Sequence, residues 1–272
     1  MSRTTNQRRE VFIMTKLIFS VILTLVFSLP KSSLAVTWVD NHGDDFSGGG
    51  KYDYFGSVDV VNDPTSPDST QNVWRFTFPQ GTPTGEGIAA VFFGLPDNTK
   101  EWWIQYYFKY SPGFKFHSIG VKQVYGYTYG SDTSNFMIST MNTDGKQLLN
   151  LLTQGSNAEN HLPNLNPDAW YSTQTGVWHK IKAYMKFNNG GNRDGQWKLW
   201  IDDKLISDYH DVMFDSRYSG WRAFGVYPIW GGMAEAVPQT QYLFVDGVYA
   251  GSMDPGGGSG KIPSPPGSLL IK

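Results

Sequence analysis

WRAFGVYPIWGGMAEAVPQTQYLFVDGVYA, residues 221 to 250, reads as two β-strands joined by a loop. Side chains alternate across a strand, so Trp221, Ala223, Gly225 and Tyr227 fall on one sheet face. Small residues between two large rings leave a shallow trough with flat walls. That shape suits a sugar ring, and an ordinary packed sheet core would show the same residues. Trp230 beside Gly231 and Gly232 extends the trough, because glycine lets a ligand approach the backbone closely.

Period-two runs of this kind recur along the chain. Val73 to Phe78, Glu101 to Tyr110, Val121 to Tyr129, Asn135 to Met141, Val177 to Phe187, Gln196 to Ile201, Trp221 to Tyr227 and Gln241 to Ala250 all read as strands bounded by turn residues. No long amphipathic helix and no internal repeat interrupts them. Many strands without helices predict an all-β, two-sheet jelly-roll sandwich over residues 36 to 253. Strict alternation over Gln196 to Asp202 predicts that Trp197, Leu199 and Ile201 are buried while Lys198 and Trp200 face away.

The ends are of a different kind. Arg3, Arg8, Arg9 and Lys16 precede an apolar run from Leu17 to Leu29, followed by Pro30 and Ser33-Leu34-Ala35, the pattern of a secretory signal peptide cleaved near Val36. The run is short for a membrane span, and no longer one follows. After Asp254 the sequence PGGGSGKIPSPPGSLLIK predicts a flexible tail to residue 272. Cysteine is absent, which excludes disulfides and points to a bacterial periplasmic or secreted chain with a core large enough to hold unaided.

The chain holds 22 Lys+Arg against 24 Asp+Glu; residues 1 to 35 take five of the former and one of the latter, leaving 17 against 23, a net charge of −6. An acidic surface repels phosphate, so nucleic acid is disfavoured as a partner. The expected protein is a monomer that meets a polysaccharide.

Asp44-Asp45-Phe46-Ser47-Gly48, Gly176-Val177-Trp178-His179-Lys180-Ile181, Gly195 to Asp202 and Phe244-Val245-Asp246-Gly247-Val248-Tyr249 resemble the concanavalin A-like lectin/glucanase superfamily. The pattern is most similar to its polysaccharide-lyase-like branch. The resemblance implies a curved jelly roll whose concave sheet holds a glycan, in a family containing lyases, hydrolases and lectins. The Glu-x-Asp-x-x-Glu strand of its retaining glucanases is missing, since only Glu86, Glu101, Glu159 and Glu235 follow the leader and no two share that spacing.

β-Elimination on a uronate needs donors for the carboxylate, a base for the neighbouring proton and an acid for the departing oxygen. The segment from Lys115 to Tyr129 supplies such groups. Alternation places Gln123, Tyr125, Tyr127 and Tyr129 on one face, and Lys122 and Val124 on the other. The strand resembles the one that carries the catalytic Tyr of jelly-roll alginate lyases, although their Tyr-Phe-Lys-Ala-Gly, Arg-x-Glu-x-Arg and Gln-x-His patterns are not reproduced. A plain aromatic ladder is the alternative. His117, entering this strand, is the first candidate for the base, with Tyr125 or Tyr127 sharing acid and base roles and Gln123 binding the carboxylate. Tyr227, Trp230, Arg222 and Lys122 are the expected substrate-binding residues. No cofactor is required; Asp45 and Asp246, from the first and last strands, suggest a structural calcium, and turn and strand-end aspartates without a metal are the simpler reading. The expected function is therefore a polysaccharide lyase acting on a uronate-containing glycan, with a lectin-like binding protein as the alternative and a protein-recognising envelope component as a third class.

Overall fold

The computed structural model describes residues 36–41, 51–56, 58–68, 70–128, 134–143, 146–153, 171–232 and 235–256. The expected leader, Asp44, Asp45, Tyr129, and the tail beyond Gly256 lie outside these residues.

Among the described residues all regular structure is β. One eight-stranded sheet has the order β13 (Lys204–Val212), β12 (Gly195–Ile201), β11 (His179–Lys186), β6 (Glu101–Tyr110), β15 (Gln241–Gly251), β4 (Asn72–Phe78) and β3 (Val58–Asn62), with β1 (Thr37–Asn41) also paired to β15. The other, of seven strands, runs β10 (Tyr171–Ser172), β9 (Lys146–Thr153), β8 (Ser134–Thr143), β7 (Val121–Thr128), β14 (Trp221–Trp230), β5 (Ala89–Thr99) and β2 (Lys51–Gly56). Neighbours in space are often distant in sequence, as where β15 lies between β6 and β4 and β14 between β7 and β5. That crossing of antiparallel strands between two layers is the expected jelly roll. All eight strands read from the sequence are present, with ends shifted by up to three residues.

The layers meet over one continuous apolar core. Trp197, Leu199 and Ile201 are fully buried, while Lys198 and Trp200 on the same strand are half-exposed, as alternation requires. Trp102 and Phe224 pack at 5.3 Å between ring centres, one from each sheet. The β12–β13 hairpin turns through Asp202 and Asp203, both with positive φ (48° and 64°), the two-residue geometry that matches strand twist. Asp202 also accepts a 2.8 Å hydrogen bond from the Lys180 backbone N–H and pairs with His179 Nδ1 at 2.9 Å. His179 is thereby a buried structural histidine.

The loop between β3 and β4 straps across the outer face of the larger sheet. Its Asp63 carboxylate pairs with the Lys109 ammonium of β6, both residues being buried, and Lys109 also donates to Thr65 Oγ1 at 2.9 Å. That ammonium lies 4.9 Å from the Trp178 ring centre and 5.2 Å from that of Phe244. Ser66 donates to Asp246 on β15. Burial alone would raise the Asp63 pKa; the Lys109 and Thr65 donors outweigh it and hold the carboxyl below its ordinary range. A depressed carboxyl stabilises the fold above its unfolded-state pKa, and that contribution disappears as pH falls through the folded-state value. Asp63→Asn should therefore lower the unfolding free energy by about 3–5 kcal/mol at neutral pH, because it strands a buried ammonium. Urea unfolding at neutral pH and at about pH 3 checks this, the gap between variant and parent narrowing in acid.

Candidate functional site

A β-bulge in β7 builds the site. Lys122 pairs with Ser139 and Val124 with Ile138, so Gln123 is an extra residue opposite β8. Gln123 and Val124 consequently both face the core, where Val124 joins the apolar cluster. Gln123 bridges the two sheets: Tyr106 of β6 donates to its Oε1 at 3.0 Å, and its Nε2 donates to Tyr110 Oη at 2.9 Å and Thr140 Oγ1 at 3.2 Å. Burial, eased by the bonds to Gln123 and Thr140, pushes the Tyr110 phenol up to about 12. The expected pairing of Gln123 with the tyrosines of its own strand is thus corrected. The extra residue inverts the alternation, sending Gln123 inward and leaving Lys122 on the outer face with Tyr125 and Tyr127.

On that outer face four rings converge. Tyr125 lies 6.4 Å from Tyr127 and 5.6 Å from Tyr227, and Phe92 of β5 lies 5.7 Å from Tyr127 and 5.8 Å from Tyr227, all between ring centres. Gly225 makes room for Phe92, since a Cβ there would collide with the ring. Ile229 completes the cluster, which is separate from the main core. Tyr127, Tyr227 and Phe92 are half-exposed; Tyr125 is 5% exposed. Lys122, opposite Ile229, is half-buried and donates to the Gly231 carbonyl at 2.8 Å.

The same desolvation acts oppositely on the two ionisable types. Burial pushes the Lys122 ammonium below its ordinary range. Burial, and after it the neighbouring phenols of Tyr127 and Tyr227, push Tyr125 far above its ordinary value of 10.0. Burial thus favours the uncharged form of each group, amine and phenol.

His117 and Trp230 belong elsewhere. His117 is fully buried: its Nδ1 accepts from the Ile119 N–H at 3.1 Å, leaving Nε2 to donate to Thr84 Oγ1 at 3.1 Å. It packs edge-on to Trp230 at 5.4 Å and against Gly231, whose φ of 52° leaves space for the ring. With both nitrogens engaged, His117 serves as a joint between three segments and not as a base on the tyrosine face. Strand β14 runs on to Trp230, and alternation from Tyr227 then turns Trp230 inward, where it is 1% exposed and donates from Nε1 to the Glu235 carbonyl at 2.8 Å. Trp221 also packs in the core, because the register shifts between it and Ala223. Arg222 is the exposed residue at that shift, with no described contact to the tyrosines. Asp246 spends its oxygens on Ser66 and on the Gly247 N–H at 2.7 Å. Among the described residues no three carboxylates or imidazoles gather to hold a cation, and Asp45 lies outside those residues.

Solved structures share this architecture. The alginate lyase Aly36B, as a mutant with a lysine and a tyrosine replaced by alanine and with an alginate tetrasaccharide bound, is 17% identical over 80% of this chain and 95% of its own, with a TM-score of 0.54. The marine PL-14 alginate lyase from Aplysia kurodai is 15% identical over 79% of this chain and 99% of its own, with a TM-score of 0.57. An endo-beta-1,4-glucuronan lyase from the fungus Trichoderma reesei is 14% identical over 79% and 94%, with a TM-score of 0.55. The chain has the concanavalin A-like jelly-roll fold of these polysaccharide lyases. No protein-family model matches it, and no curated protein sequence does.

Gln123→Leu should leave the Tyr106 and Tyr110 phenols facing an apolar group and cost about 1–3 kcal/mol in urea unfolding. Tyr227→Phe, on the outer face, should leave the unfolding midpoint unchanged.

Proposed function

We propose that the chain is a lyase that cleaves a uronate-containing polysaccharide by β-elimination on the outer face of the seven-stranded sheet. The observation that carries this reading is the bulge at Gln123, which puts a half-buried amine, Lys122, on one face with Tyr125, Tyr127 and Tyr227. An alginate complex of a structural relative was obtained with a lysine and a tyrosine replaced, which supports the same pair of residue types.

The chemistry follows from protonation states. A base with a lowered pKa and an acid with a raised one are the two halves of a proton-transfer site. Lys122 directs one N–H to the Gly231 carbonyl, and once deprotonated its amine has a lone pair for the substrate. That lone pair takes the proton on the carbon beside the uronate carboxylate. The electron pair of the broken C–H bond forms the new double bond, and the glycosidic C–O bond one carbon further on breaks. The departing oxygen receives a proton from the phenol of Tyr125, which burial keeps protonated. Tyr127 and Tyr227, more exposed, provide rings for the sugar faces and hydroxyls for the carboxylate. A lectin reading keeps the same contacts and omits the proton transfers.

Turnover should rise with pH as Lys122 deprotonates through its lowered pKa, with Tyr125, whose pKa is raised, still protonated across that range. Lys122→Arg separates base from charge: the guanidinium keeps the positive charge and has no basic lone pair. Its kcat on polyuronates, followed by the ultraviolet absorbance of unsaturated ends, should fall at least about 100-fold while binding persists. Retained turnover in Lys122→Arg would show that only the charge matters, and binding without products by the parent chain would establish the lectin.

A further inference from the structure

The outer face of the eight-stranded sheet carries a second set of aromatic and cationic side chains, remote from the tyrosine face in the fold. On β11, Lys180, Lys182, Tyr184 and Lys186 alternate with buried residues and so point away from the core. On β12, Gln196, Lys198 and Trp200 do the same, and Trp103 joins them from β6. The register sets Lys182 opposite Trp200, and Tyr184 between Trp103 and Lys198. Trp103 and Trp200 stack with ring centres 5.6 Å apart at 27°, and Tyr184 lies 4.9 Å from Trp103.

These rings are not core residues. Trp103, Tyr184 and Trp200 are half-exposed and stand outside the apolar cluster that joins the sheets. Large rings gathered on a surface mark a ligand more often than scattered ones do. The position of a carboxylate among them supplies the ligand's chemistry. Lys182 Nζ lies 4.7 Å from the Trp200 ring centre and 5.4 Å from that of Trp103, and both oxygens of Asp254 reach it at 3.1 Å. Asp254 follows the last strand, and its side chain is 35% exposed. A carboxylate displayed above indole rings and bound to one ammonium is the arrangement that a uronate residue would present, ring face on the indole and acid group on the lysine.

We propose that this face is a second polysaccharide-binding site, which takes a polyuronate chain along Trp103, Trp200 and Tyr184, with Lys182 exchanging the Asp254 carboxylate for one from the polymer. The ligand class rests on the uronate reading of the other sheet; the geometry does not. Lys180, Lys182 and Lys198 on this face are paired with Asp203, Asp254 and Asp208, so a carboxylate from the polymer replaces one already held there and the charge balance of the face is kept. The net charge repels a nucleic acid and a polyuronate alike; the carboxylate already seated on Lys182 beside two indole rings matches the acid group and ring face of a uronate.

The test is affinity electrophoresis of the full chain in native gels that contain polymannuronate, polygalacturonate or polyglucuronate, with dextran and single-stranded DNA gels as controls. Trp103→Ala/Trp200→Ala should weaken retention by a polyuronate about tenfold, the loss of two ring contacts. Asp254→Asn should strengthen it severalfold, because it frees Lys182. Neither change should alter turnover of short oligouronates, and melting curves confirm that both variants fold. Lys182→Met, which keeps the apolar stem, should weaken retention if the double variant is unstable. Retention unchanged by these variants, lost only with Tyr227→Ala, or seen with DNA alone would overturn the proposal. Retention that depends on Trp103 and Trp200 in a chain yielding no unsaturated products would sink the lyase reading and leave this site standing.

Discussion

A strand with a core on one side and a ligand face on the other has a period of two, and one added residue exchanges the faces beyond it. Gln123 is that residue in β7. Its side chain cannot be buried without partners, so the bulge is stable only because Tyr106, Tyr110 and Thr140 satisfy the amide from both sheets. The hydrogen bonds inside and the placement of Lys122 outside are two effects of one register shift. Strand β14 shifts beside it, where Val226 and Ile229 face Val124 and Lys122, and Pro228 falls within the shift, where a missing N–H costs no ladder bond. The outer face therefore gathers Lys122, Tyr125, Tyr227 and Ile229 from two irregular strands.

The surrounding loops hold that arrangement at its open end. The Gly231 carbonyl that orients Lys122 belongs to a turn packed on His117, and the Gly231 N–H donates to the Gly120 carbonyl at 3.2 Å. His117 in turn ties Thr84 to this turn, and Glu235 accepts from the Ser118 N–H at 3.1 Å. His117 thus packs on the turn whose carbonyl accepts the Lys122 N–H. The opposite sheet has its own clasp in the Asp63–Lys109 pair, which fixes the strap over β6 and β15.

The sequence was most legible where alternation is unbroken. β11 and β12 have strictly alternating burial, and their faces follow from the residues alone. β5 escaped notice because its buried and half-buried residues, Ala89 to Leu95, form a nearly continuous apolar run that ends in Pro96, giving no period to read. The site was legible in its membership more than in its geometry. Tyr125, Tyr127, Tyr227 and Lys122 are together, whereas Gln123, His117 and Trp230 point into the fold. The partners that draw those three inward lie in other segments: Tyr106 and Tyr110 in β6, Thr84 in a distant loop and Phe78 in β4. A register shift is a compromise among such distant contacts, and no local pattern encodes it.

What desolvation does to this cluster bears on why a lysine and a tyrosine suit the task. A carboxylate and an imidazolium in the same place would pair and remain charged, at a cost in burial. Burial favours the neutral form of an amine and of a phenol, drawing the Lys122 pKa down and the Tyr125 pKa up. In the proposed elimination, the proton leaving the sugar for Lys122 would create an ammonium beside the negative charge that develops on the substrate. In that reaction the attraction between them would be present in the transition state and absent from the empty site, the differential binding that lowers a barrier.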